Sequence, residues 1–281
     1  MSLLNRSATA SVLYDAPGPR ARARYRAFGI VALLAIAGLI WFAVSTLADK
    51  NQFDADLWDV FQYTNTQQRI VDGLLSTLKA FGLAALFSLT LGALLAAGQL
   101  SDHKPVRWTC TTVVQFFRAM PLLILIVALY YAFFAKEPMW ALVLGLTLYN
   151  GSVQAEIIRS GVNAVPRGQG EAAYALGMRK TQVMTFILVP QAVRSMLPSM
   201  IGQLVVTLKD TSLGFIITYH ELLFVGKAIA SQPLYAAFPY IPVVLVIGPI
   251  YIAMCLLLTA LAHWIEGRGR RGANRRTSTA A

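Results

Sequence analysis

Residues 74–99 read LLSTLKAFGLAALFSLTLGALLAAGQ, an apolar run carrying one charge, Lys79. Coiled at about 1.5 Å per residue, a run of this length exceeds the roughly 30 Å hydrocarbon core of a bilayer. Inside that core the backbone N–H and C=O groups find no water, and a helix satisfies them within one segment. Similar runs occupy 28–48 on one side, and 109–134, 140–158, 197–219 and 241–263 on the other. The chain therefore reads as an all-α, polytopic membrane helix bundle with six transmembrane helices. The run at 28–48 is too long for a signal-peptide core and has no clear small-residue cleavage site after it. Between the first two spans, Phe53, Leu57, Trp58 and Phe61 suggest a short amphipathic helix at the interface.

Composition agrees. The 281 residues are 57% hydrophobic and 13% charged, where soluble domains hold roughly 25% charged residues. Mean hydropathy is +0.58. The net charge of +11 raises nucleic acid as a partner, but its position argues otherwise. Arg6, Arg20, Arg22, Arg24 and Arg26 precede the first span, and Arg268, Arg270, Arg271, Arg275 and Arg276 follow the last. No basic soluble domain accompanies them, so no nucleic-acid binding is expected and membrane lipids are the surroundings. Cys110 and Cys255 both lie in or beside apolar runs, as small hydrophobes and not as a disulfide framework.

Loop charge sets orientation. The two termini and the segments 101–108 and 159–198 hold 17 Lys and Arg, while the alternate segments hold four: Lys50, Arg69, Lys136 and Lys227. The positive-inside rule then predicts a multi-pass protein of the cell membrane with both termini cytoplasmic. Its organisation follows: a cytoplasmic N-terminal tail at 1–27, a first transmembrane helix and extracellular segment at 28–72, a transmembrane domain at 73–264, and a basic cytoplasmic tail at 265–281. Within that domain, 159–198 reads as a cytoplasmic loop with short helices, because Gly, Pro and charge interrupt it.

That loop carries Glu171-Ala172-Ala173, then Gly177, nine further residues, and Ile187-Leu188-Val189-Pro190. Glu171 to Leu176 can form a short helix whose small Ala172 and Ala173 permit close approach by another protein. Gly177 can adopt the left-handed conformation that turns the chain away. The pattern Glu-Ala-Ala-x-x-x-Gly, nine residues, Ile-x-Leu-Pro resembles the coupling-loop signature of permease subunits in bacterial ATP-driven (ABC) importers, with Val189 in place of the usual Leu. Phe116-Phe117-Arg118-Ala119-Met120-Pro121-Leu122-Leu123, Asn150 to Gly161, Pro166 to Ala173 and Leu208 to Leu213 resemble the polar amino-acid branch, the histidine, glutamate and glutamine permeases. The opening Ser11 to Arg20 is also similar to the glutamate-importer permeases of high-GC Gram-positive bacteria.

This resemblance implies a type I ABC importer permease fold. It also implies a second homologous permease, two ATPase subunits, and an extracellular substrate-binding protein, lipid-anchored as a lipoprotein. The ATP and Mg would sit on the partner ATPase, since nothing here matches Gly-x-x-x-x-Gly-Lys-Ser/Thr. No cofactor bound by this chain is expected, and no catalysis. Glu171, Ala172, Ala173 and Gly177 are then the ATPase-coupling residues, and L-glutamate is the first-choice substrate. Aspartate, glutamine, arginine and histidine share the framework.

Charges inside a membrane are costly and mark pathways. Counted from the span ends, Arg118 lies about 14 Å deep, Asn150 about 15 Å, and Lys209 and Asp210 about 18–20 Å. Pro121 can break the third helix, and Asp210-Thr211-Ser212 followed by Gly214 reads as a break with a cap for a new half-helix. Broken helices at the midplane suit substrate carboxylates. Substrate-binding candidates are accordingly Arg118, Asn150, Ser152, Gln154, Lys209 and Asp210, with the alternative that Arg118 pairs with Asp210 and locks the bundle. Glu156 and Arg159 suit an i,i+3 pair. Lys79, about 9 Å from the outer end, can snorkel. His103, His220 and His263 have no metal-ligand spacing, so no metal is expected. An independent channel or secondary carrier remains a second class; an enzyme is disfavoured because no acid–base or nucleophile constellation shares one depth.

Overall fold

The computed structural model describes residues 18–234 and 237–278, in two units divided after Asp54. Arg6 and the first part of the 11–20 segment lie outside the described residues. In the first unit, α1 spans Pro19–Asp49, with Pro19 in the first turn, where its missing N–H costs nothing. It buries none of its residues, and its length and composition suit a membrane span.

The second unit begins with a 3-10 turn, Ala55–Phe61, which buries Leu57 and Val60 and leaves Trp58 half exposed. The short amphipathic helix expected before the second span takes the form of this turn, with Phe53 outside it. Helix α2 covers Thr64–Gln99, α3 Lys104–Ala119, α4 Leu122–Phe133 and α5 Pro138–Asn163. They are followed by α6, Arg167–Ala175, the single turn α7, Lys180–Gln182, and α8, Val189–Asp210, with α9, Leu222–Ala230, and α10, Tyr240–Ser278, completing the chain. Among the described residues five helices are long and apolar enough to cross a membrane, and the α3–α4 pair, bent by 99°, makes a sixth if counted as one span.

Small residues build the centre of this unit. The buried face of α2 is Gly73, Thr77, Ala80, Ala84, Ser88, Gly92 and Ala96, spaced three or four apart. Lipid tails are as apolar as side chains, so helices here associate through close packing, and small residues let the backbones approach. At Gly92 a Cβ would stand 2.7 Å from Cβ of Gln154 and 3.0 Å from the carbonyl oxygen of Gly151, both on α5. Gly92→Leu is therefore expected to push α2 off α5 and destabilise the unit by about 1–3 kcal/mol. A lower melting temperature of the purified chain in detergent would register it, and an unchanged one would contradict this packing.

Helix breaks shape the rest. Pro121 stands between α3 and α4 with Met120 in an extended conformation, and the third span breaks there as expected. Helix α5 runs on to Asn163, past the expected end at 158. The expected loop with short helices, 159–198, does contain α6 and α7, but from Lys180 onward the chain is helical and continuous with α8, ahead of the expected start of the fifth span at 197. The reason is local: Pro190 has no N–H to donate to the turn before it, and that turn, Val183–Leu188, is a wide π-helical one in place of an α-helical one. Pro198 lies inside α8. At its far end α8 stops at Asp210, as the Asp210-Thr211-Ser212 pattern foretold, and a 3-10 turn, Thr211–Ile217, follows. The new half-helix does not begin there. The chain turns through a left-handed Thr218 (φ 59°), and α9 starts only at Leu222, capped by Glu221. Glu221 can reach two backbone N–H groups from that place, and Asp210 is still helical. The basic tail expected from 265 continues α10 as helix to Ser278.

Candidate functional site

The bend at Met120–Pro121 leaves Arg118 in the last turn of α3, where a cation complements the carbonyl end of the helix. Its Nη1 lies 3.6 Å from Oε2 of Glu156 on α5. The same carboxylate accepts from Nε of Arg159 at 3.3 Å, from Nη2 of Arg159, and from Oγ of Ser160 at 3.5 Å. The expected i,i+3 pair thus forms, and Arg118 joins it from another helix; among the described residues no ion pair links Arg118 to Asp210. Two guanidiniums around one carboxylate leave a net positive charge. Beside it a cavity of about 400 Å³ opens between α5 and α8, lined by Glu156, Ser160, Gly161, Ser195, Met196 and Ser199.

The remaining midplane candidates divide. Asn150 and Gln154 are both buried and bond to α8: Asn150 Oδ1 accepts from Nε2 of Gln203 at 2.7 Å, and Gln154 Nε2 donates to the carbonyl of Met200 at 3.2 Å. Ser152 is also buried, and its hydroxyl donates to Leu148 within its own helix at 2.8 Å. Lys209 is exposed and Asp210 half-buried at the end of α8. The structure brings Arg118 together with Glu156, and Asn150 and Gln154 together with α8. It joins Lys209 to neither group.

The loop residues form a second locus. In α6, Glu171 and Ala172 are exposed, whereas Ala173 is 4% exposed and faces into the unit. Room for another protein is therefore at Ala172, Tyr174 and Leu176; Leu176 is 83% exposed. Gly177 takes φ +78°, its N–H donates to Tyr174 and that of Met178 to Ala173, which closes the helix end as expected of a left-handed glycine. Lys180 then ties this locus to the α2–α3 turn, donating to the carbonyl of Leu100 at 3.1 Å and to Asp102. The Lys180 hydrogen bond holds the Asp102 carboxyl below its ordinary value. The contact is therefore ionic at neutral pH and is lost only as pH falls through that lowered value.

Residues 88–271, from the middle of α2 to well into α10 and including both loci, match the family of binding-protein-dependent transport system inner membrane components. The chain belongs to that family. As a component of this kind it is a multi-pass membrane protein that works with separate ATPase subunits and a binding protein. It is 39% identical to the glutamate transport system permease protein GluD of Corynebacterium glutamicum, over 83% of this chain and 87% of that one. It is 30% identical to the arginine transport system permease protein ArtQ of Bacillus subtilis, over 70% and 90%. Its structure resembles a crystal structure of an amino acid ABC transporter with histidines, at a TM-score of 0.67 and 28% identity, covering 75% of this chain and 98% of the other.

Two features of this transport component escaped the sequence reading. The cavity serines Ser195 and Ser199 stand four apart on α8, a spacing that puts both on one helix face. Glu221 is fully buried. It caps α9 by accepting from the N–H groups of Leu223 and Phe224, each at 2.7 Å, and accepts from the Tyr251 hydroxyl on α10 at 2.6 Å. Next to it, Thr77 on α2 accepts from the N–H of Leu222 at 3.0 Å, and Tyr219 donates to the carbonyl of Ser76 at 2.9 Å. A carboxylate immediately before the apolar run 222–225 was the available signal for Glu221.

Proposed function

We propose that this chain is the pathway-forming permease of an ATP-driven importer of polar amino acids, with L-glutamate as its substrate. It lines the route together with a second homologous permease, and two ATPase subunits drive it, hydrolysing ATP that this chain does not bind. An extracellular lipoprotein delivers the amino acid. Both termini are cytoplasmic, as the loop charges favour. The Lys180–Asp102 contact supports this orientation by holding two of the basic loops at one end of the second unit.

The observation that carries the substrate reading is the Arg118–Glu156–Arg159 cluster, whose surplus positive charge suits an anionic ligand, alongside the likeness to a glutamate permease. Substrate enters at Arg118, with Lys209 adding positive potential along the route. Asn150, Ser152, Gln154 and Asp210 set the polar character and the helix positions around it. A second reading has its own support: Glu156 lines the cavity, a carboxylate there suits a guanidinium ligand, and an arginine permease is among the relatives.

Stimulation of ATPase activity in the reconstituted complex, with binding protein and a panel of amino acids, separates the two. Glutamate stimulation that falls about tenfold or more in Arg118→Ala, with assembly intact, supports the anionic reading; one charge-assisted hydrogen bond accounts for that loss. Stimulation by arginine alone, lost in Glu156→Gln and kept in Arg118→Ala, would replace it. Uptake by the purified chain without an ATPase would instead indicate a channel or carrier.

A further inference from the structure

Helices α2 and α5 are meshed through glycines on both sides and behave as one body. A Cβ at Gly92 would stand 2.7 Å from Cβ of Gln154, and one at Gly151 would stand 3.0 Å from Cδ2 of Leu91 on α2. The α6 turn joins this body at two points. The first is the chain itself, residues 164–166, which lie outside the helices they connect. The second is Lys180, whose ammonium donates to the carbonyl of Leu100 at 3.1 Å and to the carboxylate of Asp102, both just past the end of α2. At a helix end the carbonyls have lost their own donors, so a cation at Leu100 is favoured by the helix dipole as well as by its hydrogen bond.

The path from α6 to Lys180 is stiff. The N–H groups of Gly177 and Met178 donate back into α6, and that of Arg179 donates at 2.8 Å to Oε1 of Gln182 in α7. Lys180 also opens the helical run that continues through α8 to Ile217. A single joint at 164–166 would let α6 pivot against the α2–α5 body whenever it is displaced. A second joint fixes the angle, so a displacement of α6 turns the whole body, and with it Glu156 and Arg159 on α5. Given an ATP-driven importer in which α6 meets the ATPase, as read above, we infer that Lys180 and Asp102 are positioning residues for energy coupling. Their contact converts movement of α6 into movement of α2 and α5, and it does so apart from both the docking surface and the substrate site.

The test is amino acid imported per ATP hydrolysed, in liposomes holding the complete complex with its binding protein. Asp102→Asn should lower that ratio roughly two- to fivefold, the range one exposed ion pair spans, and should leave co-purification of the ATPase unchanged. Lys180→Gln also strips the donor from Leu100 and should lose at least as much. Lys180→Arg keeps a cation on both acceptors and should keep most of the ratio. Asp102→Lys should fail like Asp102→Asn, and adding Lys180→Asp to it should restore part of the loss, which a merely structural role for either side chain does not predict. Asp102 is exposed and Lys180 half-buried, so these substitutions fit the fold. An unchanged ratio in both Asp102→Asn and Lys180→Gln would overturn the inference, as would losses that simply add in the exchanged pair. Loss of the ATPase from Asp102→Asn would overturn it too, by placing the pair on the docking surface. Wild type that takes up amino acid without ATP would be a distinct failure, that of the importer reading itself.

Discussion

Leu176→Asp is expected to abolish ATP-driven uptake while leaving the chain in the membrane at its normal abundance. Leu176 stands at the tip of the α6 turn, 83% exposed, immediately before the left-handed Gly177. An apolar side chain that protrudes from a rigid turn of a transport component has the attributes of an interface anchor, and such anchors contribute about 2 kcal/mol or more each. Aspartate loses that contact and also places a charge where water is excluded, so the affinity for the ATPase should fall by roughly 30-fold or more. Co-purification of the ATPase with the tagged chain reads the outcome directly. Normal co-purification and normal uptake would remove α6 from the coupling surface. Ala173 is the control position: it faces inward, and a bulky replacement there reports on the packing of α6 against its own chain.

Glu221→Ala is expected to destabilise the second unit by about 3–5 kcal/mol. The substitution strips acceptors from two N–H groups and a tyrosine hydroxyl that have no water to turn to, and each orphaned group costs about 1–3 kcal/mol. Helix α9 would fray at its start, and α10 would lose its polar tie to it. Glu221→Gln keeps one carbonyl oxygen and should lose about half as much. Thermal melting and limited proteolysis of the purified chain would measure both, and an alanine variant that melts like wild type would show that α9 does not depend on this cap.

Much of this arrangement was legible in the sequence where the physics is local. Apolar length marks the spans, Pro121 breaks the third of them, and Gly177 takes the left-handed turn its position suggested. Other features needed the third dimension. Depth counted along straight helices put Arg118 level with Asp210, but the 99° bend sends it to Glu156. Pro190 and Pro198 read as breakers, yet one follows a π-helical turn and the other is carried within α8, both in one helical run. Ala172 and Ala173 look alike in sequence, and only the packing of α6 decides that one is exposed and the other buried. Glu221 was overlooked because Asp210 offered an earlier place for a cap, and the left-handed Thr218 that postpones it has a side chain unsuited to announce such a turn.

The π-helical turn at Val183–Leu188 lies between the α6 locus and the α5–α8 cavity. Such a turn holds one residue more than its α-helical equivalent. Were it to tighten, everything beyond it would rotate by about 100°, the angle one residue subtends on an α-helix. A pull on α6 could therefore reach the cavity as torsion about the α8 axis, with Ser195 and Ser199 swinging around it like teeth on a ratchet.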